Sequence, residues 1–273
     1  MTLFLSDEFK KLWKNKDPFA EVQKLDGKIF RSVKNRRTLR FKTAKRSYFL
    51  KLHNPIGLKE LFKNLFQFKV PAVGAKNEWL AIKLLEKLNI DTMTVAAYGL
   101  KGINPAKQCS FIITEDLGDL QSLEDFCMDW PRNPPSFQIK QDLLKMVAHV
   151  SRTIHANGIN HRDYYICHFL LADSENNKIV DPNNLKAHLI DLHRAQIRKK
   201  VPRRWLVKDV SGIYFSAMDI GLTRNDVLRF IKLYSVKSLR KTLEQDKSFW
   251  LAVDKKAKWL YRKDFKKEPI TVI

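Results

Sequence analysis

The chain has 273 residues, 44% hydrophobic and 11% aromatic, which excludes a disordered polypeptide and suits one large domain or two closely packed lobes. Its formal charge of +22, from 51 Lys and Arg against 29 Asp and Glu, calls for an anionic partner: nucleic acid, an anionic membrane or a densely phosphorylated substrate. Cys109, Cys127 and Cys167 share no metal-ligand or C-x-x-C spacing, the start has too short an apolar stretch for a secretory signal, and no apolar run is long enough to span a bilayer. A soluble or peripheral cytosolic protein with reduced thiols is expected.

Residues 27–53 alternate apolar and polar positions and predict three strands, GKIFRSV, RTLRFKT and SYFLKLH, separated by turn-like breaks. Residues 58–68 (LKELFKNLFQF) predict an amphipathic helix. Packing on the small lobe is its ordinary role, and contact with membrane or an acyl chain is the alternative. A second amphipathic helix is expected over 75–89, then strands at VAAYG and SFIITED, so the first 117 residues are β-rich with one or two helices. From Leu120 the pattern turns helical. SLEDFCMDW is a short helix stopped by PRNPPS, and a long amphipathic segment follows Ser136 and ends at Gly158. Two short strands, CHFLLAD and KAHLIDL, precede four helical stretches: VKDVSGIYFSAM, TRNDVLRFIKLY, SLRKTLEQ and SFWLAVDKKAKWLYRKDF.

His161-Arg162-Asp163 closes a loop after the long helix and precedes an apolar strand, and Asp191 ends the next strand in HLIDLHR. An Asp on such a loop followed by a second Asp after a strand is the working core of protein-kinase-like phosphotransferases. The first carboxylate orients an acceptor hydroxyl and takes its proton; the second holds Mg²⁺ on the ATP phosphates. Phosphoryl transfer also asks for a cation on the phosphates. Lys51 in SYFLKLH is the strand candidate, and Glu78 on the next strong helix is its candidate partner. The expectation is an α+β, two-lobed protein-kinase-like fold, with a small β-rich N-lobe at 1–117, a mainly helical C-lobe at 118–273 and a hinge near Glu115–Gly118.

The pattern departs from the kinase template in three places. His168 stands five residues after Asp163, where the template has Asn as a second metal ligand, and an imidazole is a poorer partner for hard Mg²⁺. Leu192-His193 follows Asp191 in place of Phe-Gly. The glycine-rich phosphate loop is missing, and Lys34-Asn35-Arg36-Arg37 stands there, basic enough to approach phosphates directly. The basic charge is clustered: Arg31–Arg46 holds eight Lys and Arg, Leu192–Lys208 holds seven, and neither run holds a carboxylate. Arg36, Arg37, Arg194, Arg198, Arg203 and Arg204 are therefore candidate contacts to the acceptor or another anion.

HRDYYICHFLL together with IDLHRAQIRKKVPRRW resembles the lipopolysaccharide core heptose(I) kinases, a bacterial branch of the kinase-like superfamily. The likeness continues at Lys11–Trp13, Asp17–Phe19, Arg36–Arg40, Gly74–Trp79 and Met218–Arg224. Tyr164 departs from the family, which usually has Cys there. The resemblance implies transfer of the ATP γ-phosphate to O4 of the first heptose of the lipopolysaccharide inner core. Asp163 would be the base, Asp191 and His168 would hold Mg²⁺ (Mn²⁺ as the alternative), and Lys51 with Glu78 would hold the ATP phosphates. Asp209 would brace the catalytic-loop backbone beside His161 and Arg162.

The implied partners are an anionic glycolipid and the anionic inner face of the bacterial inner membrane, with a small acidic protein as a further candidate. The basic runs carry few interleaved aromatics and no nucleic-acid motif, so nucleic acid is not expected. Two alternatives stay open: a related kinase acting on a neighbouring core sugar, such as the keto-sugar, and an inactive kinase fold that binds anions.

Overall fold

The structure, a computed structural model, describes residues 1–33, 35–55, 74–104, 107–171 and 186–269. The segment 58–68, expected to be an amphipathic helix, and Lys34 lie outside the described residues. The chain divides into two compact units. One takes the described residues of Met1–Leu84, Met93–Gly118 and Leu192–Arg194; the other takes those of Leu85–Thr92, Asp119–Asp191 and Ala195–Ile273.

The first unit is built on six antiparallel strands: β1 (Thr2–Leu5), β2 (Lys28–Val33), β3 (Arg36–Lys42), β4 (Ser47–His53), β5 (Val95–Lys101) and β6 (Cys109–Glu115), in the order β1-β5-β6-β4-β3-β2. The period-2 pattern of β4 buries Tyr48, Leu50 and Leu52 in one apolar cluster with Leu39, Phe41, Phe111 and Ile113. Phe9, Phe19 and Val22 join that cluster from the helices Asp7–Leu12 and Pro18–Lys24, and Trp13 joins it from the C-cap of the first.

Those helices and β1 are absent from the sequence expectation, because each is too short to show a period. Local chemistry nonetheless explains the second helix. Asp17 accepts from the Phe19 amide at 3.0 Å as its N-cap, and Pro18 opens the first turn. The helix Lys76–Lys87 forms within the expected 75–89.

The second unit is mainly helical. Its long helix Phe137–Ala156 starts where Ser136 accepts from the Ile139 amide, and it runs beside the helix Arg224–Ser235, whose start is a capping box between Thr223 and Asp226. The helix Arg203–Ser216 packs on Lys247–Phe265. Two small antiparallel ladders carry the loops of interest. One joins β7 (Gln121–Ser122), β9 (Phe169–Leu171) and β10 (Ala187–Leu189); the other joins β8 (Ile159–Asn160) to β11 (Gln196–Ile197). Gly158, at φ +79°, turns the long helix into β8, and its carbonyl accepts from the Arg198 amide at 2.9 Å.

Three boundaries differ from the expectation. Residues Ile166–His168 form a 3₁₀ turn, so the strand starts only at Phe169. The next strand ends at Leu189, two residues before Asp191. The helix expected from Val207 starts at Arg203, which puts Arg203 and Arg204 in its first turn.

Candidate active site

In the first unit, Lys51 lies on β4 with its side chain on the opposite sheet face from Leu50 and Leu52. Its Nζ is 2.6 Å from Glu78 Oε1. Glu78 is buried to 1% side-chain exposure and Lys51 to 17%, so the pair is largely removed from water and each charge depends on the other. The neighbouring Trp79 stacks on Tyr98 at 4.7 Å, which fixes the start of the helix against β5.

Arg36 and Arg37 are residues of β3 instead of a phosphate loop. Arg37 donates from Nη2 to the carbonyls of Gln23 and Leu25, both at 3.0 Å, and so closes the end of the helix Pro18–Lys24. These bonds give Arg37 a structural role in the fold. Arg36 is paired with His53 across the sheet. Burial, with the Arg36 and Lys51 charges, pushes His53 down to about 3 and keeps it neutral. Arg194 lies in a 3₁₀ turn, Leu192–Arg194.

In the second unit, the expected loop residues come together around Asp209. This carboxylate, fully buried on the helix Arg203–Ser216, accepts from the His161 amide at 2.6 Å and the Arg162 amide at 2.8 Å. His155 Nε2 stands 3.4 Å from the same Oδ2, and His155 Nδ1 is 2.9 Å from the Tyr234 hydroxyl. The clamp holds Arg162 at φ +78°, a left-handed conformation costly for a residue with a side chain, and this orients the following Asp163. Asp191 is also left-handed, at φ +61°. His161 is fully buried, and burial lowers its pKa, so it is neutral. Its Nε2–H donates to the Ile190 carbonyl at 2.9 Å and ties the loop to the segment before Asp191.

His168 is oriented by the same loop. Its Nδ1 is 2.7 Å from the Asp163 carbonyl, which can only accept, so Nδ1 carries a proton and Nε2 is the ring atom turned toward Asp191. Nε2 lies 3.7 Å from Asp191 Oδ2. Among the described residues no group of three His, Cys, Asp or Glu could hold a metal ion. Asp191 and His168 bring one oxygen and one nitrogen donor close together, a pair whose chemistry fits a divalent cation.

Tyr164 is a core residue of the loop. It is buried, its hydroxyl is 3.0 Å from Ser151 Oγ, and burial raises its pKa far above the usual phenol value.

Two residues beside the His-Arg-Asp loop were not singled out from the sequence. Lys208 Nζ donates to the Arg162 carbonyl and stands 3.7 Å from Asp163 Oδ1, beside the candidate base. Trp205 lies one turn earlier on the same helix. The available signal was helical spacing: Trp205 and Lys208 are three apart, and Lys208 adjoins Asp209. Arg198 donates to Asn160 Oδ1 and Gln196 Oε1, both at 2.6 Å, and Arg203 donates to Ser248 Oγ at 3.1 Å.

A β-rich unit with a buried Lys–Glu pair and a helical unit with a clamped His-Arg-Asp loop define a protein-kinase-like, two-lobed α+β fold, the class expected from the sequence. The family model described as lipopolysaccharide kinase (Kdo/WaaP) matches residues 20–234, and the chain belongs to that family. It is 50% identical over 253 residues to a lipopolysaccharide core heptose(I) kinase WaaP of Escherichia coli, covering 93% of this chain and 94% of that protein. It is 44% identical over 263 residues to the Pseudomonas aeruginosa protein of the same description, covering 96% and 97%. A solved structure described as WaaP in complex with acyl carrier protein superposes with a TM-score of 0.83 at 42% identity, covering 96% of this chain and all of that one.

Proposed function

We propose that this protein transfers the γ-phosphate of ATP to the O4 hydroxyl of the first heptose of the lipopolysaccharide inner core. The observation that carries the reading is the Asp209 clamp. It spends a buried carboxylate on the His161 and Arg162 amides and holds Arg162 in a costly backbone conformation, which supports the aim of Asp163. The relatives at 44–50% identity bear the heptose(I) kinase description, which selects the acceptor class.

Asp163 accepts the hydrogen bond of the sugar hydroxyl, orients its lone pair toward the phosphorus and takes the proton as the bond forms. Lys51, held by Glu78, binds the non-reacting phosphates of ATP and places its charge before reaction, so little reorganisation is needed. Asp191 and His168 would hold the Mg²⁺ or Mn²⁺, which when bound offsets the charge of the phosphate oxygens. Asp209 and His161 position the loop and touch no reactant.

The charge of +22 supports work on an anionic glycolipid at the inner face of the inner membrane, and no described helix is long and apolar enough to cross it. A small acidic partner suits the same charge, and the solved relative was captured with acyl carrier protein. An apolar cavity of about 360 Å³ in the helical unit, lined by Leu123, Cys127, Leu143, Val147, Ile213 and Ile231, has the lining and size to receive an alkyl chain from such a partner.

The test is transfer from ATP to defined inner-core oligosaccharides, with the product located by NMR. Phosphate at O4 of the first heptose is expected, and Asp163→Asn should abolish it while leaving the protein folded. Phosphate on a neighbouring sugar, or normal turnover by Asp163→Asn, would overturn the assignment.

A further inference from the structure

The indole of Trp205 collects four cations. Arg162 lies 5.0 Å from its ring centroid, Arg204 5.3 Å, and Arg198 and Lys208 5.9 Å each. They come from three segments: the catalytic loop, the strand end after β11, and the helix Arg203–Ser216. Each charge gains from the electron-rich face of the ring. Crowding like charges around one ring costs Coulomb energy that grows as water leaves.

The arrangement is also built. Arg198 is held by the neutral side-chain oxygens of Asn160 and Gln196, which fix its guanidinium without cancelling its charge. The Trp205 Nε1–H is buried and has no hydrogen-bond partner among the described residues, so the ring itself carries a further donor. Lys208 links the cluster to the candidate base, because its Nζ is 3.7 Å from Asp163 Oδ1.

We infer that the Trp205 cluster is an anion subsite beside Asp163 that binds a carboxylate or phosphate substituent on the acceptor glycolipid, at a sugar next to the hydroxyl to be phosphorylated. The inference rests on the proposed kinase reading for its ligand. The subsite anchors the acceptor by its charge, so that binding energy from a non-reacting group fixes the hydroxyl against Asp163. Guanidinium groups suit this role because their forked donors match the geometry of either anion.

The experiment is equilibrium binding of lipid-free inner-core oligosaccharide to the full-length protein by calorimetry, alongside steady-state kinetics. Three acceptors are compared: native, carboxyl-reduced and dephosphorylated. Arg204→Gln, in an exposed first helical turn, and Arg198→Gln should each weaken native acceptor binding about ten-fold and raise its KM alike, with the KM for ATP unchanged. Arg198→Lys should recover part of the loss. One of the two modified acceptors should bind as weakly to the wild type as to Arg204→Gln, and which one does so identifies the anion.

Arg204→Gln binding native acceptor as tightly as wild type overturns the subsite. So does a wild type that binds all three acceptors equally. Binding that follows the expected pattern without phosphate transfer would instead sink the kinase reading and leave the subsite standing.

Discussion

Removing the Asp209 carboxylate tests whether the catalytic loop is held by one buried charge. Asp209→Ala deletes the acceptor of two backbone amides, at 2.6 and 2.8 Å, in a fully buried position. A hydrogen bond to a charged group contributes about 1.5–3 kcal/mol, so the pair contributes about 3–6 kcal/mol, a large share of a typical folding free energy of about 5–15 kcal/mol. The left-handed Arg162, at φ +78°, costs about 1–3 kcal/mol by itself and would relax once released.

Asp209→Asn is the sharper variant. It keeps one acceptor oxygen and sets an NH₂ against an amide N–H, so about half the loss, roughly 1.5–3 kcal/mol, is expected. For a unit of this size that is a fall in melting temperature of roughly 5–10 °C. Below the transition the protein stays folded by circular dichroism, but the amides of His161 and Arg162 should exchange faster. Turnover should drop at least about a hundred-fold, because a loop misplaced by about 1 Å loses its aim. Asp209→Asn with wild-type amide protection and turnover within two-fold would refute the clamp.

Glu78→Ala should leave the Lys51 charge buried without its partner and cost about 3–5 kcal/mol, whereas Lys51→Met with Glu78→Leu should melt near wild type yet transfer no phosphate; a stable Glu78→Ala in urea melts would refute the pairing energy. Buried His53, at about 3 in the folded chain against about 6.5 unfolded, takes up protons on unfolding. Its stability contribution is therefore complete above pH 6.5 and is lost toward pH 3, at up to about 1.4 kcal/mol per pH unit. His53→Gln should flatten urea-melt stability between pH 6.5 and 4.5, and an unchanged slope would contradict this. Gly158→Ala places a Cβ against the Arg198 carbonyl at a positive φ, so soluble yield should collapse; a normally folded variant would show that the turn can relax. His168→Ala should raise the Mg²⁺ concentration for half-maximal turnover, with His168→Asn closer to wild type, and an unchanged Mg²⁺ titration would remove His168 from the metal site.

The strands β2 to β6 and the long helices were legible because each repeats its pattern over at least six residues. The N-terminal strand and two short helices were not, since four to seven residues carry too little periodicity to stand out. Among the candidate residues, Lys51 and Glu78 were legible as types on the right elements, but their 2.6 Å contact spans 27 positions of chain. Arg37 shows the opposite: it read only as one basic residue in a basic run, and the fold uses its Nη2 donor to close a helix.

By itself the sequence determined the two-lobed class and the His-Arg-Asp and Asp-Leu-His strings, because strand alternation, helix periodicity and loop motifs are short-range properties of the chain. Only the tertiary structure decided how those strings are used. It set the tautomer of His168 through the Asp163 carbonyl, gave Asp209 two amides to hold, and gathered Arg162, Arg198, Arg204 and Lys208 on Trp205. Each of these depends on groups from separate segments meeting in a buried or crowded place, where desolvation and geometry set the chemistry, and no local pattern encodes that meeting.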